Sequence, residues 1–272
     1  MAGYKKKRAR ELKHDRFRDT AMTLLDRLAD RLEGKGRLIL YGIAGAVVVF
    51  LLGYAVITWR HRHTEEAERA LGRGIKIATA SVSTLPSSEP GELHFSSEQE
   101  RAQKAIEEFR KVEAKYGEPY RSEARYFIAT NLLVADRPKG LTDLATLSGS
   151  SIHDVARLAK FALAQAKEED HSLDEAAALY VDLAKQDDPV VTAETANVRL
   201  ALVYEKQGKK KEAADLLFNI VETARKAKDP DGKPATQSAA ARQAATELQK
   251  IDGARYSQLT PEAPTSMELP LG

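Results

Sequence analysis

From Leu38 to Trp59 the chain runs 22 residues, LILYGIAGAVVVFLLGYAVITW, without a charge. At about 1.5 Å per residue, a helix of that length reaches roughly 33 Å, enough to cross a hydrocarbon core of about 30 Å. Backbone groups find no water there, so a lone spanning segment must be helical. Tyr41 at one end, with Tyr54 and Trp59 towards the other, places aromatic rings at the two headgroup layers. Arg37 and Arg60 bound the run, which argues against a buried core helix. A cleaved signal peptide would have a shorter apolar region, about 7–15 residues, ending at a small-residue site. The nearby Ala78-Thr79-Ala80 lies well past the run, behind charged residues. A single uncleaved transmembrane helix is expected.

Charge orients it. Residues 1–37 carry 12 Lys and Arg against 6 Asp and Glu, whereas the segment after Trp59 carries 30 against 34. Basic residues beside an apolar helix stay cytoplasmic, so the N-terminus is expected inside and the rest outside. The chain has no cysteine, which suits an oxidising compartment. The organisation expected is a basic cytoplasmic head (1–37), the span (38–59), a helical domain (60–252) and a disordered tail (253–272) with Pro261, Pro264 and Pro270.

Within the head, the run YKKKRAR (4–10) suits anionic lipid headgroups, and nothing aromatic beside it supports nucleic-acid binding. Phe17, Ala21, Leu24, Leu25, Leu28 and Leu32 then form one apolar stripe, the mark of an amphipathic helix over 11–33. In the span, Gly42, Ala46, Val49 and Gly53 fall along one side, where small residues allow helix–helix contact. Residues 84–97 hold two prolines and a glycine and read as a loop, and Ser97-x-x-Glu100 reads as a capping box opening a helix.

The domain beyond the span repeats at about 35 residues. In residues 196–220, Leu200-Ala201, Tyr204, Gly208, Ala213, Leu217 and Ile220 mark a helix, a turn and a second helix. Ala201 and Ala213 are small where the helices cross, and Gly208 supplies the turn. The second-helix pattern recurs at Ala105, Phe109 and Val112 and at Ala176, Tyr180 and Leu183, with Leu141 and Ala145 as a degenerate copy. First helices align on Ala129, Ala164 and Ala201. The fold class expected is all-α: a transmembrane helix followed by a tetratricopeptide-repeat-type α-solenoid. It has about four hairpins, at 64–116, 120–148, 151–187 and 190–228, and a closing helix at 235–251, because a stack needs a cap. Asp188-Pro189 is expected to open one of these helices.

First helices line the concave face of such a stack. The repeat register puts Tyr126, Thr130, Leu133, Val198, Leu202 and Glu205 there, an apolar groove suited to extended polypeptide or a partner helix. The chemistry of an enzyme is not in evidence: no phosphate loop, no nucleophile elbow and no isolated pair of acids. No catalytic residue, cofactor, small-molecule substrate or metal is expected. The six histidines are scattered, and Glu168-Glu169-Asp170 and Asp187-Asp188 read as solvated acids in turns.

The span Leu38–Trp59 followed by repeat residues Ala105, Phe109, Ala176, Tyr180, Tyr204 and Ala213 resembles the bacterial YfgM-like family, the ancillary subunits of the SecYEG translocon. The resemblance implies an inner-membrane protein with a periplasmic repeat domain, acting as interaction scaffold or chaperone-like subunit beside the translocon with a periplasmic chaperone as partner. The longer basic head and the loop 84–97 depart from it. The alternative reading is a structural adaptor of envelope or cell-division machinery, CpoB-like, that does not handle unfolded clients.

Overall fold

The structure is a computed structural model that describes residues 50–51, 64–83, 93–185 and 187–262. The expected head and amphipathic helix lie outside these residues. So does the span, except Phe50 and Leu51, which are helical and 72% and 57% exposed. No helix among the described residues is long and apolar enough to cross a membrane.

The described domain is mostly helical, as expected. Helix α1 runs over residues 64–78. A pair of two-residue parallel strands follows, β1 (Ser81–Val82) and β2 (His94–Phe95), so part of the expected loop is paired. Then come α2 (Glu98–Lys115), α3 (Tyr120–Ala135), α4 (Arg137–Leu147), α5 (His153–Glu169), α6 (Leu173–Ala184), α7 (Ala193–Lys206), α8 (Lys210–Lys226), α9 (Ala239–Ile251) and the short α10 (Gly253–Tyr256). Each helix from α3 to α9 packs on the one before it. Ser97 caps α2 as expected, accepting from the Glu100 N–H at 3.1 Å, while Glu100 reaches back to the Ser96 N–H at 3.1 Å.

Small residues set the spacing. Ala124, Ile128 and Ala129 in α3 recur as Ala159, Leu163 and Ala164 in α5 and as Ala196, Leu200 and Ala201 in α7, all buried. In the partner helices Ala105, Ala176 and Ala213 are fully buried, and four residues on Phe109, Tyr180 and Leu217 are too. An alanine at a crossing lets two helices approach while the larger residue one turn later fills the space beside it.

The second pair corrects the expected register. Ala145 is exposed, whereas Gly140 and Leu144 are buried. A Cβ on Gly140 would stand 2.7 Å from the Leu133 nitrogen and 2.9 Å from the Leu132 carbonyl carbon, so only glycine permits this approach. The cause is the turn: Asp136 alone separates α3 from α4, where three residues separate α5 from α6 and α7 from α8. Those longer turns share one device. His171 (φ 58°) and Gly208 (φ 78°) both adopt the left-handed conformation, and the next N–H reaches five residues back, Ser172 to Lys167 O at 2.9 Å and Lys209 to Tyr204 O at 2.8 Å.

Among the described residues four core clusters succeed one another, and each joins a helix pair to the next helix. They comprise α1 to α3 around Phe109, α3 to α5 around Leu144, α5 to α7 around Tyr180 and α7 to α9 around Leu217. The expected closing helix is α9, whose Ala244 and Leu248 complete the last cluster.

Two further expectations are corrected. Asp188 does not open a helix; its carboxylate accepts from the Val190 N–H at 2.8 Å, and Thr192 caps α7. The tail is not disordered from 253. Leu259 is buried in the last cluster, and Thr260 donates through N and Oγ1 to Glu222 at 3.0 and 2.9 Å. The buried Leu259, the half-buried Glu222 and Arg225, which donates to the Thr260 carbonyl at 2.7 Å, hold residues 253–262. The remaining ten lie outside the described residues.

Candidate partner-binding face

The six groove residues sit on two helices, α3 and α7. On α3, Tyr126 is half-buried and edge-on to Phe127, with ring centroids 5.4 Å apart, and burial pushes its hydroxyl pKa up. Thr130 is half-buried and donates its hydroxyl to the Phe127 carbonyl at 3.0 Å. Leu133 is half-buried against the Leu144 cluster. On α7, Leu202 is half-buried and Glu205 is exposed. Val198 is a correction: at 1% exposure it belongs to the last core cluster with Ala244 and Leu248, because α9 packs over that face of α7.

The two sets do not form a continuous apolar strip. Helix α5 packs on α3 and comes between them in the chain of contacts. Its residues at the same offsets from Ala164 are Phe161, Gln165 and Glu168, all missed in the sequence reading. The signal was available: Tyr126, Thr130 and Leu133 stand at −3, +1 and +4 from Ala129, and the same count from Ala164 finds them.

Glu168 makes the face polar. Only 5% exposed, its carboxylate pairs with Lys206 at 2.7 Å and Arg199 at 2.6 Å and accepts from the Tyr180 hydroxyl at 3.2 Å. Burial alone would raise its pKa, but Lys206 and Arg199 outweigh burial and hold it below the usual carboxylate range. Burial pushes Tyr180 up to about 12. One turn later Arg137 of α4 donates to the Ala166 carbonyl at 3.0 Å and pairs with Asp170 at 2.7 Å and Glu169 at 3.1 Å. Three acids at a helix C-terminus oppose the helix dipole, and the arrangement holds because cations from α4 and α7 converge on them. Asp188, likewise buried, pairs with His153 at 2.6 Å, and this bond comes first among the contacts that hold its carboxyl low. The acids expected to be solvated are thus partly structural.

Among the described residues no group of three His, Asp or Glu is placed to hold a metal ion. What the surface offers is shape, half-buried apolar side chains and fixed charge, the means of non-covalent recognition. The chain matches no protein-family model, no curated protein and no solved structure.

Proposed function

We propose that this chain is a membrane-tethered interaction scaffold whose helical domain is a tetratricopeptide-type stack displayed outside the cytoplasm. The observation that carries the reading is the recurrence of one buried small-residue frame in α3, α5 and α7, joined by clusters that each reach into the next pair. Stacked helix pairs of this kind expose a long face made by their first helices, and such faces bind polypeptide. The uncharged run 38–59 is the proposed anchor, with the basic head inside. Proximity to the SecYEG translocon and a periplasmic chaperone follows from the family resemblance. Tethering there raises the effective concentration of a weak binder without any new contact.

Between the client-handling and adaptor readings, one observation favours the adaptor. Val198 is withdrawn into the core, and Glu168, Lys206 and Glu205 place charge where the apolar groove was expected. A face of that kind suits one folded partner with matching charge better than many unfolded chains. The proposed contact residues are Tyr126, Thr130, Leu133, Leu202 and Glu205.

Two measurements test it. Alkaline phosphatase fused after Gly272 should be active, and an active cytoplasmic reporter there instead would overturn the topology. Glu205→Lys with Leu202→Gln should abolish partner capture from mild detergent while melting stays near the parent's. Capture unchanged by that pair would remove the face from the proposal.

A further inference from the structure

A second site lies between α2, α3 and α4. There a cleft of about 380 Å³ opens beside the second helix pair, at the small end of the range for binding pockets. Its floor is apolar, made by buried Ile128 and half-buried Leu147. Above the floor stand three cations and two acids. Arg125 pairs with Glu113 at 2.8 Å and Lys139 with Asp143 at 2.9 Å. That leaves Arg110, exposed at the rim, without an ion pair or side-chain hydrogen bond among the described residues. Thr146 already donates its hydroxyl hydrogen to the Thr142 carbonyl at 3.0 Å, so its oxygen remains free to accept.

We propose that this cleft binds a short acidic peptide segment of a partner protein. An aliphatic side chain of the segment rests on Ile128 and Leu147. A neighbouring carboxylate pairs with Arg110, and a peptide N–H donates to Thr146. The single surplus positive charge selects an acidic ligand, and an arginine holds a carboxylate in a two-pronged geometry. The occupant is a polypeptide segment because Arg110, Arg125, Lys139 and Thr146 are all exposed. A cleft so open covers one side of its ligand, whereas a small molecule gains affinity by being enclosed. The site uses neither α7 nor the groove residues, so it stands or falls separately from the face on α3 and α7.

The test uses the full chain in detergent and a fluorescein-labelled peptide Gly-Leu-Glu-Leu-Glu-Gly, read by fluorescence anisotropy. The peptide should bind with a Kd below about 1 mM. Arg110→Glu should weaken it by about fivefold or more, as expected for reversal of one exposed charge contact. Lys211→Glu, an exposed change on α8, should leave binding unaltered, and the melting point of both variants should match the parent's. A peptide with lysine in place of both glutamates should not bind. Absence of binding at 1 mM, equal binding by the Arg110→Glu variant, or equal binding of the lysine peptide would each overturn the proposal.

Discussion

The junction between the first two helix pairs and the junction between the last two use the same small-residue frame and fill it differently. In the first, Phe109 stacks on Phe127 with ring centroids 4.9 Å apart and planes 11° from parallel, and Ile106, Val112, Tyr116 and Ile128 complete an apolar cluster. In the second, fully buried Tyr180 shares its space with Glu168, Arg199 and Lys206, and Arg157 and Asp188 are buried nearby. The frame decides how close helices come; the filling decides what the junction responds to. An apolar filling depends little on pH and salt, though burial and Glu68 raise the pKa of half-buried Glu123 beside the first junction, whereas a filling built on a buried carboxylate depends on every partner it has.

The largest effect should come from the frame itself. Gly140→Val has no room, since its Cβ would meet backbone atoms that cannot rotate away. We expect a loss of about 3 kcal/mol or more in urea unfolding of the full chain in detergent. Ala145→Val, at the exposed position first assigned to the crossing, should change stability by less than about 0.5 kcal/mol. The reverse order of effects would restore the original register.

Next is the filling. Glu168→Ala leaves Arg199 without its carboxylate and the Tyr180 hydroxyl without its acceptor, and we expect a cost of about 3 kcal/mol, the lower end of the range for a broken buried pair because Lys206 remains half-exposed. The pH dependence follows with a definite sign. Glu168 is held below its unfolded value, so the unfolded chain binds its proton first as pH falls; the stabilisation is present near neutrality and is lost below the ordinary carboxylate range. Tyr180 is raised, so its contribution is full below about pH 10 and is lost as pH rises towards about 12. Melting curves against pH should lose both arms at the last junction in Glu168→Gln and Tyr180→Phe respectively. Unaltered arms would remove these groups from the account.

The smallest effect is in the turns that pair His171 with Gly208. A non-glycine residue in the left-handed region is strained, so His171→Gly should stabilise by about 0.5–1 kcal/mol and Gly208→Ala should destabilise by about 1 kcal/mol. Equal signs in thermal denaturation would mean that the two turns are not equivalent.

Much of the helix layout was legible because alanine at crossings and a large apolar residue one turn later are written directly in the sequence: Ala105 with Phe109, Ala176 with Tyr180, Ala213 with Leu217. Gly140 escaped because a one-residue turn at Asp136 shifts the count, and a shortened turn leaves no mark in hydrophobic periodicity. Val198 was misplaced because repeat position alone does not say that α9 lies over it. Glu168 and Asp188 were misread because nothing local distinguishes an acid in a turn from one met by side chains of helices 31 to 38 residues away in the chain. Residues 253–262 were misread because proline content outweighed the anchoring Leu259 and Thr260.

Hydrogen exchange on the full chain, parent against Glu168→Gln, tests the contrast between the junctions most directly. The substitution keeps shape and removes charge. Peptides from α5 to α8 (residues 153–226) should exchange faster, while those from α2 and α3 (residues 98–135) keep their parental protection. Uniform loss across all helices, or protection unchanged in α5 to α8, would contradict the account.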